Sequence, residues 1–184
     1  NSHQTLFLTT PEGQAAAIHM LSIPVQRGEE PTTPVHKLSP LSEDEVVQAA
    51  FAIPIEKNNI GERYVLTVTR QGMIKKSLVT ELPGASANRF TLVKVNEGDE
   101  LFRVLLTDGK KEVLLTTAKG MSIRFSETDV RPMGLLAAGV NGIKLKEGDY
   151  VVGASLIEAG NEVGLVTNQG WAKRIKAEEF PQQG

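Results

Sequence analysis

The chain has 184 residues and a mass of 19.9 kDa, with 40% hydrophobic and 23% charged residues, the balance of a folded globular domain rather than a disordered chain. Its 20 basic and 22 acidic residues give a formal net charge of -2 and a pI near 6.0, so composition alone opposes a nucleic-acid ligand. The absence of cysteine excludes disulfides, thiolate metal sites and cysteine nucleophiles, and no apolar run reaches the roughly 18 residues that span a bilayer. The first residues also lack a basic stretch followed by an apolar one, which predicts a cytoplasmic setting.

From its first residues onward the chain repeats itself. Leu6-Phe7-Leu8-Thr9-Thr10 leads to Gly13, Tyr64-Val65-Leu66-Thr67-Val68-Thr69 to Gly72, Val113-Leu114-Leu115-Thr116-Thr117 to Gly120, and Val163-Gly164-Leu165-Val166-Thr167 to Gly170. These glycines stand 59, 48 and 50 residues apart. A second marker keeps the same register: Glu97-Gly98-Asp99 and Glu147-Gly148-Asp149, each a predicted turn, are 50 residues apart. Val93-Lys94-Val95 and Ile143-Lys144-Leu145 precede them as predicted strands, and Leu41 to Val46 is a looser counterpart in the first unit.

The apolar runs are short, rich in Val, Leu and Thr, and bounded by Gly, Asp, Asn or Pro, which predicts strands throughout. Asp108-Gly109 predicts a hairpin joining 101–106 to 112–117, and Gly160-Asn161 a second joining 151–157 to 163–167. The units read as 1–57, 58–108, 109–157 and an incomplete 158–184. About four strands in each predict an all-β, propeller-like array of four-stranded antiparallel blades, because one such sheet cannot bury both faces alone. Three blades and part of a fourth predict a piece of a larger array.

Candidates for catalysis are few. His3, His19 and His36 lie 16 and 17 residues apart, without the short spacing that puts two ligands on one metal. No phosphate-binding loop, G-x-G-x-x-G or G-x-S-x-G is present, and no recurrent acid, His or Ser marks a shared pocket for an enzymatic propeller. Glu127 and Asp129, or Asp99 and Glu100, have the chemistry for acid-base work, but Glu-Gly-Asp recurs as a turn would. Tyr64 and Tyr150 open predicted strands and read as packing residues.

The placement of cations is more informative. The fourth residue after each repeat glycine is Ala17, Lys76, Arg124 and Arg174, and the third is Ala16, Lys75, Ile123 and Lys173. Two readings are open: a rim series that meets successive phosphates of a curved duplex, or charged strand edges that resist aggregation. Arg89 and Arg131 fall in the loops that follow, the latter in Asp129-Val130-Arg131-Pro132-Met133-Gly134. Glycines 134, 139 and 142 suit close approach to a phosphate, or simply a pliant loop. Charge is uneven: residues 1–57 hold 3 basic and 7 acidic residues, the remainder 17 and 15, which makes the first unit the weakest phosphate contact.

At these residues a family resemblance emerges. Gly120 to Gly134, followed by Ala138-Gly139-Val140-Asn141-Gly142-Ile143-Lys144-Leu145, resembles a blade of the C-terminal domain of the DNA gyrase A subunit, shared in a more degenerate form by topoisomerase IV. Thr69 to Lys76 and Thr167 to Arg174 resemble the Thr-x-x-Gly-x-x-Lys-Arg strand pair of other blades, and Ile23-Pro24 leads into a loop at Gln26-Arg27-Gly28. The resemblance implies a β-pinwheel whose blades exchange strands and whose basic perimeter wraps duplex DNA. It implies no catalytic residue here. The DNA-breaking tyrosine, the ATP and Mg2+ chemistry, the B subunit partner and the rest of the A subunit would lie outside this region of a bacterial, nucleoid-associated type II topoisomerase.

The expected DNA-binding residues are the repeat and loop cations Lys75, Lys76, Arg89, Arg124, Arg131, Lys173 and Arg174, together with Lys119 and Lys144. The chain departs from the family in lacking its Arg- and Gly-rich box and in carrying Leu135, Leu136 and Asn141 where Arg, Thr and Arg are frequent. A kelch-like protein-interaction propeller of similar period is the alternative, although 5% aromatic content and no periodic Gly-Gly count against it.

Overall fold

The computed structural model describes residues 3–25, 27–28, 32–56, 61–86 and 88–183. Gln26 of the Gln26-Arg27-Gly28 loop and the expected unit boundary at 57–58 lie outside the described residues. Within them the chain forms strands β1 (Gln4–Thr9), β2 (Gln14–His19), β3 (Ala49–Pro54), β4 (Tyr64–Thr69), β5 (Met73–Leu78), β6 (Phe90–Thr91) and β7 (Leu101–Thr107). They continue as β8 (Glu112–Thr117), β9 (Ser122–Ser126), β10 (Val140–Asn141), β11 (Val151–Ile157), β12 (Glu162–Val166) and β13 (Ala172–Lys176), and among the described residues no α-helix accompanies them. The all-β, propeller-like expectation is met.

The repeat glycines are where the chain turns back on itself. The Thr-x-x-Gly tetrapeptides join β1 to β2, β4 to β5, β8 to β9 and β12 to β13, each pair antiparallel. Gly72 donates its amide to the Thr69 carbonyl at 3.1 Å, and Gly120 and Gly170 do the same to Thr117 and Thr167 at 3.0 Å. The threonine hydroxyl then accepts from the residue after the glycine: Met73 N to Thr69 Oγ1 and Met121 N to Thr117 Oγ1 at 3.1 Å, Trp171 N to Thr167 Oγ1 at 3.2 Å. The glycine takes φ near +80°, where a Cβ is penalised, so both ends of the motif have a local cause.

Four sheets result, in the strand orders β3-β1-β2-β6, β10-β5-β4-β7, β11-β8-β9 and β12-β13. Each of the first two takes its edge strand from the following unit: β6 pairs with β2 through Gln14↔Thr91 and Ala15↔Phe90, and β10 with β5 through Val140↔Ile74 and Asn141↔Met73. This is strand exchange between neighbouring blades.

Two expected hairpins are corrected by this topology. β7 pairs with β4, and β8 with β9 and β11, so Asp108-Gly109 carries the chain from one sheet to the next. Gly160-Asn161 likewise links β11, paired with β8, to β12, paired with β13. A left-handed glycine permits a turn without requiring one; here β7 closes the second sheet against β4 and β11 the third against β8. The apolar-Lys-apolar triplets are not strands either, because β6 and β10 end before them. Their Val93 and Ile143 are buried while Lys94 and Lys144 point to solvent.

The core lies in the seams between sheets. Phe7, Ala15 and Ala17 of the first sheet meet Val65, Val79 and Leu92. On its other face the second sheet sets Leu66, Val68 and Ile74 against Val113, Leu115 and Ile143. β4 is therefore buried at all its positions, which explains a continuous apolar and Thr run in place of alternation. β12, with one side open, alternates between exposed and half-buried. β7 packs against both β3 and β11, so these edges converge, and the exchanged strands β6 and β10 form the opposite, outer edges of their sheets.

Candidate nucleic-acid interface

The cations at the third and fourth positions after the repeat glycine do not form a rim. Lys75 and Lys76 on β5 are 1% and 4% exposed. Strand alternation sends them to opposite faces, and both faces of this sheet are covered by a neighbour. Lys75 donates all three ammonium protons to backbone carbonyls, at 2.6 Å to Leu92 O, 3.3 Å to Gly134 O and 2.8 Å to Leu135 O. Burial pulls its pKa down to about 8 against the opposing field of Glu81. Lys76 donates to the Glu127 carbonyl and lies 5.1 Å from the Tyr64 ring centroid. Burial also lowers its pKa, opposed by Glu127, Glu62 and Asp129. Neither ammonium can meet a phosphate, and their expected DNA contact is corrected on that ground.

The fourth position is instead a junction between consecutive blades. Arg124 repeats the Lys76 contact in the next unit: its Nη1 donates at 2.7 Å to Ala177 O, and Ala177 opens a 3-10 turn (Ala177–Glu179) as Glu127 opens the equivalent turn (Glu127–Asp129). The backbone repeats it too, with Met133 N to Lys76 O at 2.8 Å, Gln183 N to Arg124 O at 2.7 Å and Ser86 N to Ala17 O at 3.1 Å. Arg124 Nε lies 3.3 Å from Glu112 Oε2, an ion-pair distance without hydrogen-bond alignment. Arg124 is thus largely committed inside the stack, and its expected place on an open rim is corrected. Arg174 repeats the carboxylate contact, with Nε 3.3 Å from Glu162 Oε2, but it and Lys173 are exposed at the open face of the last sheet.

The other expected cations are at the surface in different circumstances. Arg131 and Lys144 are exposed. Arg89 is exposed but pairs with Glu45 at 2.8 Å, and Lys119 is exposed with its ammonium 2.6 Å from Glu147 O. The Glu-Gly-Asp turns hold this region together: Asp99 Oδ1 accepts from Gln71 N at 2.8 Å, and Asp149 Oδ1 from Lys119 N at 3.0 Å, each clamping a Thr-x-x-Gly hairpin turn.

The structure groups a different set along the outer edges. Lys94 and Lys144 each follow an exchanged edge strand by three residues, lie 50 residues apart and are exposed. Arg89 immediately precedes β6, and Arg131 precedes Pro132, which bridges to Lys76 on the same side of β5 as β10. Lys94 was missed as a candidate although its period matched that of Lys144; the signal was present in the repeated apolar-Lys-apolar triplet. A weakly acidic chain thereby carries cations recurring on the outer edge of successive sheets, which formal net charge conceals.

Strand-exchanged hairpin blades with a repeated Thr-x-x-Gly turn define a propeller-like array whose recurring surface, more than any enclosed pocket, carries its candidate ligand contacts. The sequence model of the family described as DNA gyrase C-terminal domain, beta-propeller, matches residues 63–108, 111–158 and 162–184, and the chain belongs to that family. It is 32% identical over 182 residues to the DNA gyrase A subunit of Staphylococcus epidermidis and 32% identical over 181 residues to that of Escherichia coli K12. Each alignment covers 98% of this chain and 20% of the relative, so the chain spans about a fifth of the length of these proteins.

Among solved structures, the C-terminal domain of a DNA topoisomerase IV superposes with a TM-score of 0.88 at 31% identity, covering 100% of this chain and 56% of that one. A DNA gyrase A C-terminal domain superposes with a TM-score of 0.80 at 23% identity, covering 100% and 58%, and supports the fold.

Proposed function

We propose that this array is a non-catalytic module that binds duplex DNA without sequence preference along its outer edges. The recurrence of exposed Lys94 and Lys144 beside exchanged edge strands, with Arg131 between them in sequence, carries this reading, and family membership supports it. Phosphates are met by cations that are exposed, spaced and not already neutralised, which favours these residues over Lys75, Lys76 and Arg124. In the parent protein the module would curve DNA so that a crossing is presented to the topoisomerase core, which the rest of the A subunit forms with the B subunit. The ATP and Mg2+ chemistry would belong to those other parts. Bending a site of a few tens of base pairs costs on the order of 1–6 kcal/mol, so a few contacts support binding before they support wrapping.

The test is a titration of the 184-residue chain against a mixed-sequence duplex at two salt concentrations. Binding that weakens steeply with salt is expected, together with a loss of affinity in the triple variant Lys94→Glu, Arg131→Glu, Lys144→Glu. Absence of binding at low salt, or indifference to that variant, overturns the reading. The topoisomerase IV domain at 31% identity keeps that parent as a second reading. Relaxing a nicked circle around the chain, sealing it and comparing linking numbers distinguishes a chiral wrap from simple bending.

A further inference from the structure

The loop from Arg131 to Gly139 crosses from the third unit to the outer edge of the second sheet, and it is fixed at both ends. Near its start Met133 N donates to Lys76 O and the Ser77 hydroxyl to Met133 O, both at 2.8 Å. At its end Gly139 passes so close to β5 that a Cβ there would sit 2.3 Å from Ile74 O. Between these points the chain makes one internal turn, Ala137 N to Gly134 O at 3.1 Å, and accepts the Lys94 amide at Ala137 O, 3.2 Å away.

The side chain that reaches the middle of the loop from inside is Lys75, and the same ammonium also holds Leu92, two residues before Lys94. One buried charge therefore joins two pieces of chain contributed by different units: the Lys94 segment at the outer edge of the first sheet and the Arg131 loop at that of the second. Those pieces carry the cations assigned above to the duplex.

We propose that Lys75 is a positioning residue for the DNA-binding edge, holding the Lys94 and Arg131 segments at a fixed separation without touching DNA. The proposal rests on the DNA-binding reading. Preorganised cations meet successive phosphates without the entropic cost of first ordering a loop, so loosening the tether weakens binding while leaving the number of contacts unchanged. A residue that meets a phosphate behaves differently, because its loss also lowers the salt slope by about 0.9.

The experiment compares Lys75→Met and Lys94→Ala in the 184-residue chain by salt-dependent titration with a mixed-sequence duplex and by amide hydrogen exchange. Lys75→Met is expected to lower affinity roughly three- to tenfold with an unchanged slope. It is also expected to speed exchange at the Lys94 and Ala137 amides while the β4 amides stay protected. Lys94→Ala is expected to lower the slope by about one. A reduced slope in Lys75→Met, or unchanged exchange at Lys94 and Ala137, overturns the proposal.

Should Lys75→Met fail to fold, the wild-type chain decides by nuclear magnetic resonance. Slowly exchanging Lys75 ammonium protons coupled across hydrogen bonds to the Leu92 and Leu135 carbonyls support the tether, and their absence overturns it. A wild type that does not bind DNA overturns the function reading and the positioning role with it, whereas the exchange and resonance arms, which use no DNA, overturn the tether by itself.

Discussion

A lysine buried between sheets costs free energy for its desolvation, and Lys75 and Lys76 offset that cost by different means. Lys75 saturates its three donors on neutral carbonyls. With its folded pKa near 8 and an ordinary value of 10.5, the unfolded chain binds the proton more tightly. The stability gain is therefore fully present above the unfolded pKa, about 10.5, and is lost as pH falls through the folded value, about 8. The wild type is expected to gain stability relative to Lys75→Met as pH rises from 8 to 10.5, measured by urea unfolding at each pH. A flat difference over that window would show that the three carbonyls compensate the buried charge fully. Glu81 is the charged group opposing the depression.

Lys76 faces Glu127, which is fully buried and accepts from the Thr107 hydroxyl at 2.7 Å and from the Lys111 amide through Oε1, while Oε2 makes no hydrogen bond. The Lys76 ammonium is bonded to the Glu127 main-chain carbonyl and acts on that carboxylate only through space. Lys76→Met is expected to destabilise by about 1–3 kcal/mol through the hydrogen bond lost at the buried Glu127 carbonyl, and adding Glu127→Gln should recover only what the through-space attraction contributes. Additive single effects in the denaturation cycle would show the two charges to be uncoupled.

At the scale of the strand and turn, legibility in the sequence followed how local each cause is. The Thr-x-x-Gly period was readable because the hydroxyl, the carbonyl and the left-handed glycine all act within five residues. The partners of β7 and β11 were not readable, since Asp108-Gly109 and Gly160-Asn161 have the composition of tight turns and only the pairing across sheets shows otherwise. The cation period was legible in the same way and its direction was not. Lys76 and Arg124 recur at one structural place, but that place faces the next blade, and nothing in the spacing distinguishes a seam from a rim.

Glycines give a sharper test at this scale. Gly13 and Gly139 have φ of +79° and +94°, and an added Cβ would fall 2.2 Å from Val93 O and 2.3 Å from Ile74 O, whereas Gly120 at φ +80° has open space around it. Gly120→Ala is expected to cost about 1–2 kcal/mol from its left-handed backbone alone. Gly13→Ala and Gly139→Ala should each cost roughly 1–3 kcal/mol more, because the clash is with backbone across the exchanged pairing. Equal losses in thermal unfolding would mean that those segments do not press against the hairpins.

Across the whole molecule, strand exchange removes the independence that separate blades would have. The first sheet is completed by β6 and the second by β10, so unfolding the second or third unit strips an edge from the one before it. Stability should then be shared through the first three sheets and fall at the last, which has two strands, exposes Val166 and Trp171 at 76% and 74%, and buries little beyond Val163, Ala177 and Phe180 against Leu114 and Ile157. Amide exchange is expected to follow that order. The β4 and β5 amides should open only with global unfolding, while the β12 and β13 amides exchange by a local opening at least about 2 kcal/mol less costly. Since Arg124 donates to Ala177 O in the last unit, Arg124→Met should widen the gap by freeing that turn and leave β4 unchanged. Uniform protection across all four sheets would instead make the array a single cooperative block, with the cation at the fourth position contributing to every seam alike.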